Sequence, residues 1–143
     1  MIDAYQPLPE KAFHHLLTTT FAVMEHVGER VFFAHKPQDE RRPCLVLTRV
    51  STLFGRTFKT NPGYARGRIQ INAFAPSYPE VKALAEAVKS VIDNFSGHAG
   101  GIDFDFIEID DEHDLAVMPA AGRETPLTYA VSLDARFMHQ QSQ

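Results

Sequence analysis

The residues that could do chemistry fall into two blocks of opposite charge. Between Arg41 and Pro79 there is no acidic residue, while Arg41, Arg42, Arg49, Arg56, Lys59, Arg66 and Arg68 are all basic. From Asp103 to Asp114 the chain carries Asp103, Asp105, Glu108, Asp110, Asp111, Glu112 and Asp114, with no lysine or arginine among them. Such runs are commonly solvated faces whose charges pair across neighbouring strands. They also suit a subunit that is basic on one side and acidic on another, and head-to-tail contacts between such sides close into a ring when the rotation allows. Phe54, Phe58 and Tyr64 interleave with Arg56, Lys59 and Arg66. Aromatic faces beside cations also serve single-stranded nucleic acid, which makes a small nucleic-acid-binding module the rival reading.

Catalytic and metal-binding chemistry finds less support. Asp110-Asp111-Glu112-His113-Asp114 lacks the glycine-centred spacing of a calcium loop, and neighbours on a strand point to opposite faces, so a solvated turn or strand end is expected. His14, His15 and His26 lie on or near a helix without a His-x-x-x-His or Glu-x-x-His pair. Cys44 opens an aliphatic run and reads as a small core hydrophobe rather than a nucleophile. No nucleophile elbow, phosphate loop or dinucleotide fingerprint occurs. No catalytic, cofactor or metal site is read from the sequence, and no enzyme activity is expected.

These residues sit in a chain of 143 residues with 44% hydrophobic and 22% charged residues and a net charge of -4. That composition fits a single domain, residues 1–143, able to hold a core without disulfide or metal. The acidic total gives no general attraction to DNA or anionic lipid. One cysteine excludes an internal disulfide. The opening Met1–Pro7 has neither the basic flank nor the apolar core of a signal peptide, and no apolar run has membrane-spanning length, so a cytosol-made protein with no membrane partner is expected.

The elements that must position the charged blocks follow from periodicity. Phe13, Leu16, Leu17, Phe21 and Met24 recur at helical spacing and predict a helix over Glu10–His26, which the threonines Thr18–Thr20 weaken. Val31–His35 could form a short strand. Cys44–Val50 and Arg68–Ala75 read as strands, separated by a loop of about fifteen residues, Leu53–Gly67, long enough to suggest function. Ser77-Tyr78-Pro79-Glu80 has the form of a capping box, and Val81, Leu84, Ala85, Val88, Val91, Ile92 and Phe95 form the apolar stripe of a second helix. Gly97, Gly100 and Gly101 mark its exit. A parity change between Phe104/Phe106 and Ile107/Ile109 suggests a β-bulge near Phe106. Thr128–Met138 reads as the closing strand, reached through a hairpin loop at Met118–Pro126. The expected fold is α+β in the order α-β-β-α-β-β: one antiparallel sheet of about four strands, two helices on one face, and a long β-hairpin loop.

From Val27 onward the pattern resembles the tail-completion, or tail-terminator, proteins of long-tailed bacteriophages and prophages. The pieces, in order, are Val27-Gly28-Glu29-Arg30-Val31, Arg42-Pro43-Cys44-Leu45-Val46-Leu47, Arg66 through Phe74, Tyr78-Pro79-Glu80-Val81 with Ala85-Glu86-Ala87-Val88, and Ser132-Leu133-Asp134-Ala135-Arg136-Phe137. The resemblance implies a structural virion protein. Its subunits, typically six, would form a ring on the head-proximal end of the tail tube, stop polymerisation and offer a surface to the neck. The implied partners are further copies of the chain, the tail tube protein and a neck or head-completion protein, with DNA passing through unbound. A head–tail joining ring is the alternative within virion assembly. On this reading Phe54, Arg56, Phe58, Lys59, Tyr64, Arg66 and Arg68 form a subunit or tube interface. The acids from Asp103 to Asp114 would face the lumen or a neighbouring subunit.

Overall fold

The structure is a computed structural model that describes residues 8–55, 63–116, 122 and 128–140. The chain runs α1 (Pro9–Thr19), α2 (Phe21–Val27), β1 (Val31–Phe33), β2 (Cys44–Gly55), β3 (Tyr64–Ala75), α3 (Tyr78–Ile92), β4 (Phe95–Ala99), β5 (Ile102–Leu115) and β6 (Tyr129–Gln140). The strands form one sheet in the order β1-β2-β3-β6-β5-β4. β1 is parallel to β2 and every other pairing is antiparallel. The expectation of four antiparallel strands and two helices is therefore wrong: the sheet is mixed and six-stranded, and the described residues hold three helices.

Each departure has a local cause. The first helix breaks at Thr20, whose backbone is extended at φ -101° and ψ 124°. The hydroxyls of Thr18, Thr19 and Thr20 donate to the carbonyls of His14, His15 and Leu16, the back-bonding that bends helices. The break resets the helical phase. Phe13 and Leu17 stay buried, Val23 and Val27 take over the apolar face, and Phe21, assigned by spacing to the core stripe, is 72% exposed.

The chain then returns to lay Val31–Phe33 parallel beside Leu45–Leu47. At the other end, the glycines that read as a helix exit build a strand and a turn. Gly100 and Gly101 have φ of +57° and +85° and close β4 onto β5. A Cβ on Gly100 would lie 2.6 Å from the Cα of Ala12, so the turn packs directly under α1. The expected loop Leu53–Gly67 is strand at both ends, because the β2–β3 ladder continues to Gly55 opposite Tyr64; residues 56–62 lie outside the described residues.

Other expectations hold. Ser77 Oγ accepts the Glu80 N–H at 3.3 Å and its hydroxyl meets the Glu80 carboxylate at 3.1 Å, starting α3 as a cap should. Val81, Leu84, Ala85, Val88 and Ile92 are all fully buried. The register of β5 against β6 shifts between Phe104 and Phe106, where parity placed a bulge, and again between Ile109 and Asp111. The helices bury one face of the sheet, centred on Ile69, Ile71, Leu133, Ala135, Phe137 and Ile107. Phe13, Phe104 and Phe137 meet edge-on there at about 6 Å between ring centres. Edge-to-face contact adds about 0.5–1.5 kcal/mol per pair beyond burial.

Candidate interface surfaces

The two charged blocks are brought onto one sheet, three strands apart. The basic block is spread out: Arg41 and Arg42 precede β2, with Arg42 paired to Glu40, Arg49 of β2 pairs with Glu10 of α1, and Arg66 and Arg68 lie on the far end of the β2–β3 hairpin, which we call the arm; the acidic block is β5. Alternation along β5 divides the acids between the two faces of the sheet.

Glu112 and Asp114 turn toward α3. Lys89 Nζ is 2.7 Å from Glu112 and also 2.7 Å from Glu86, while Lys82 Nζ and the Tyr78 hydroxyl reach Asp114 at 2.9 and 2.7 Å. The Lys82 ammonium, helped by the Tyr78 hydroxyl, holds the Asp114 carboxyl below its usual range. Lys89 is correspondingly raised by Glu112 and Glu86. On the opposite face Arg136 binds Glu108 at 2.6 Å and Arg68 binds Asp110 at 2.9 Å. Asp111 meets His113 at 2.9 Å and Asp103 meets His98 at 2.7 Å. Asp105 alone in the run is exposed with no partner among the described residues.

The arm is arranged otherwise. Arg56, Phe58 and Lys59 fall outside the described residues, as does the hairpin loop expected at Met118–Pro126. Phe54 is 57% exposed, and its neighbours Leu53 and Val50 are 62% and 57% exposed. Tyr64 lies flat over Gly55, where any Cβ would run into its ring. Arg66 stacks on Tyr64 at 5.7 Å and has no carboxylate partner among the described residues. A shallow open depression below it is lined by Leu53, Arg66, Arg68, Phe106 and Arg136, with Arg136 over the Phe106 ring at 5.6 Å. Its floor includes Phe137, which fits because Gly67 has no side chain: a Cβ there would lie 2.7 Å from both the Phe137 ring and the Ser51 carbonyl.

Sequence reasoning named Phe54, Tyr64, Arg66 and Arg68 but passed over Val50, read as the end of a strand, and Leu53, read as the start of the loop. Their signal was their place beyond the reach of any helix. The patch of Phe21, Met24 and Phe33 at the β1 end was missed because unbroken helical spacing put Phe21 and Met24 in the core. His14 stacks on Phe33 at 5.2 Å, and burial lowers its pKa.

The remaining reactive groups are quiet. Cys44 is fully buried and burial pushes its thiol up to about 11, so it is neither accessible nor ionised at neutral pH. Among the described residues no group of three His, Cys, Asp or Glu side chains could hold a metal ion, and no helix is long and apolar enough to cross a membrane.

Residues 11–118 match the family model described as "Tail completion protein gp17". A solved chain of the structure named "Virion of native gene transfer agent (GTA) particle" is similar in fold, with a TM-score of 0.67 at 13% identity over 93% of this chain and 95% of that one. A second solved chain, whose name states no function, aligns with a TM-score of 0.57 at 14% identity over 99% of both chains. No curated protein matches significantly.

Proposed function

The chain belongs to the tail completion protein gp17 family and is a structural protein of a phage-type tail, and from that premise we propose that it forms a ring of six subunits on the head-proximal end of the tail tube. The ring ends polymerisation of the tube and presents a surface to the neck. The family match over residues 11–118 carries this reading. The arm supports it: Leu53, Phe54 and Tyr64 are apolar anchors at the tip of a hairpin, rimmed by Arg66, which is how a docking surface is built. We assign that surface, with Arg56, Phe58 and Lys59 in the same stretch of chain, to contact with the last tube ring.

DNA passes such a ring without specific binding. Arg68 and Arg136 are occupied by Asp110 and Glu108, which lowers what the arm can offer to phosphates and disfavours the nucleic-acid-binding module. The function needs no catalytic residue or cofactor.

Electron microscopy of tails assembled with and without the protein tests the proposal. Tubes of uniform length, each capped at one end when the protein is present, and tubes of uncontrolled length when it is absent, are the expected result. Uniform tubes in its absence, with the protein found on the capsid portal, would establish the head–tail joining ring instead.

A further inference from the structure

The two ends of the sheet are stepped in complementary ways. At one end β1 pairs only with Leu45–Leu47, so the rest of β2, from Thr48 to Gly55, has no strand beside it among the described residues. At the other end β4 pairs only with the Ile102–Ile107 part of β5; the Asp93 carboxylate accepts the Ile109 N–H, and beyond it Asp110–Leu115 has no strand beside it among the described residues. The register shows that these gaps lie at opposite heights. One transverse row runs Thr52, Gly67, Phe137, Ile107, Phe95, so β4 begins level with Thr52. Another row runs Val31, Leu45, Ala73, Val131, Asp114, so β1 is level with the open part of β5.

We infer that neighbouring subunits of the ring join by continuing the sheet, as a lap joint. The β4 strand of one copy fills the step beside Thr52–Gly55 of the next. In the same movement the β1 strand of that next copy fills the step beside Glu112–Asp114 of the first. A sideways displacement alone achieves both. The strand directions make β4 parallel to β2 and β1 antiparallel to β5, and both are ladders that sheets use.

Two further points select a second copy as the occupant. Beyond the bulge between Arg49 and Ser51, the open edge of β2 carries Leu53 and Phe54 exposed, and from Ser51 to Gly55 it has no charged residue or proline to keep a lone edge from pairing. A head-to-tail contact of this kind uses two different surfaces per copy, and a ring leaves neither unpaired.

The inference rests on the ring reading, and disulfide trapping separates the two. Chains carrying Ser96→Cys with Thr52→Cys or Leu53→Cys, and His98→Cys with Phe54→Cys, probe the β4 joint. Phe33→Cys with Glu112→Cys or His113→Cys probes the β1 joint. Within one chain β2 and β4 are four strand spacings apart, about 19 Å, far beyond the reach of a disulfide, so any bridge at that joint is between copies. Buried, protonated Cys44 does not compete.

Oxidation of tail-bound protein should give a covalent ladder of oligomers from at least one pair at each joint, and single-cysteine controls should stay monomeric on a denaturing gel. Rings that are visible by microscopy yet yield no ladder from any pair would overturn the joint and leave the ring standing. Tails on which the wild-type protein forms no ring would overturn both.

Discussion

The acidic strand β5 and the basic arm of β2–β3 are the two one-signed regions of the sheet, yet the fold treats them in opposite ways. On β5 six acids of the run, Asp103, Glu108, Asp110, Asp111, Glu112 and Asp114, find partners inside the subunit. On the arm Arg66 is left stacked on Tyr64, and Val50, Leu53 and Phe54 stand in solvent. The difference teaches that a charge run marks an interface only after its internal partners have been subtracted. The arm has a surplus of unpartnered surface and β5 has little.

That comparison predicts a gradient of effects. The largest belongs to Phe137, which packs where both regions cross the helix-covered core. Phe137→Ala should cost about 3–5 kcal/mol, read as a lower urea midpoint. A loss below about 1 kcal/mol would mean that the upper sheet is not part of the core. Next comes Gly67→Ala on the arm, where the new Cβ meets the Phe137 ring and the Ser51 carbonyl. Overpacking there should cost about 1–3 kcal/mol, and an unchanged midpoint would show that the arm adjusts freely.

A smaller effect concerns β5 and pH. Because Lys82 and Tyr78 hold the Asp114 carboxyl low, the contact contributes stability above the ordinary aspartate value of 3.8. That contribution is lost as pH falls through the lower folded value. Asp114→Asn should flatten this part of the acid limb in thermal melts taken across that window. An unaltered limb would mean that the contact is not held in solution.

The smallest effect on stability and the sharpest on assembly belong to the arm. Leu53→Ser with Phe54→Ser should leave the urea midpoint within about 0.5 kcal/mol while the protein no longer co-sediments with tail tubes. Retained binding would remove the contrast between arm and β5.

How much of this was legible beforehand depended on whether the signal was local. The capped helix α3 and the closing strand β6 were readable because a cap, a stripe and a strict alternation each lie within one stretch of chain. The bulge near Phe106 was readable from parity for the same reason. Strand β4 was not, since its five residues include Gly97 and begin with Phe95, which continued the helical stripe. Strand β1 was seen only as a short apolar run; its parallel pairing comes from a partner fourteen residues on. The exposed Phe21 was misplaced because the break at Thr20 shifts every later residue of the helix to a new face. The acids of β5 were found by composition, but their division between two faces needed the strand to run on through Asp110–Asp114, where a solvated turn or strand end is expected from the sequence.

The strand order has a further consequence, for the time the chain takes to fold. The hairpins β2–β3 and β4–β5 join strands that are neighbours in sequence, and such pairs close in about 1–10 μs. The ladder at the centre of the sheet does not: β3 meets β6 only after α3, β4 and β5 have been made and swung aside. Closing so large a loop costs chain entropy before any of its contacts form, which puts folding in the millisecond-to-second range typical of non-local sheets. Until that seam shuts, each half presents a raw strand edge. A virion protein made in many copies at once must therefore pass through its most adhesive state before it can reach the only neighbours it is meant to hold.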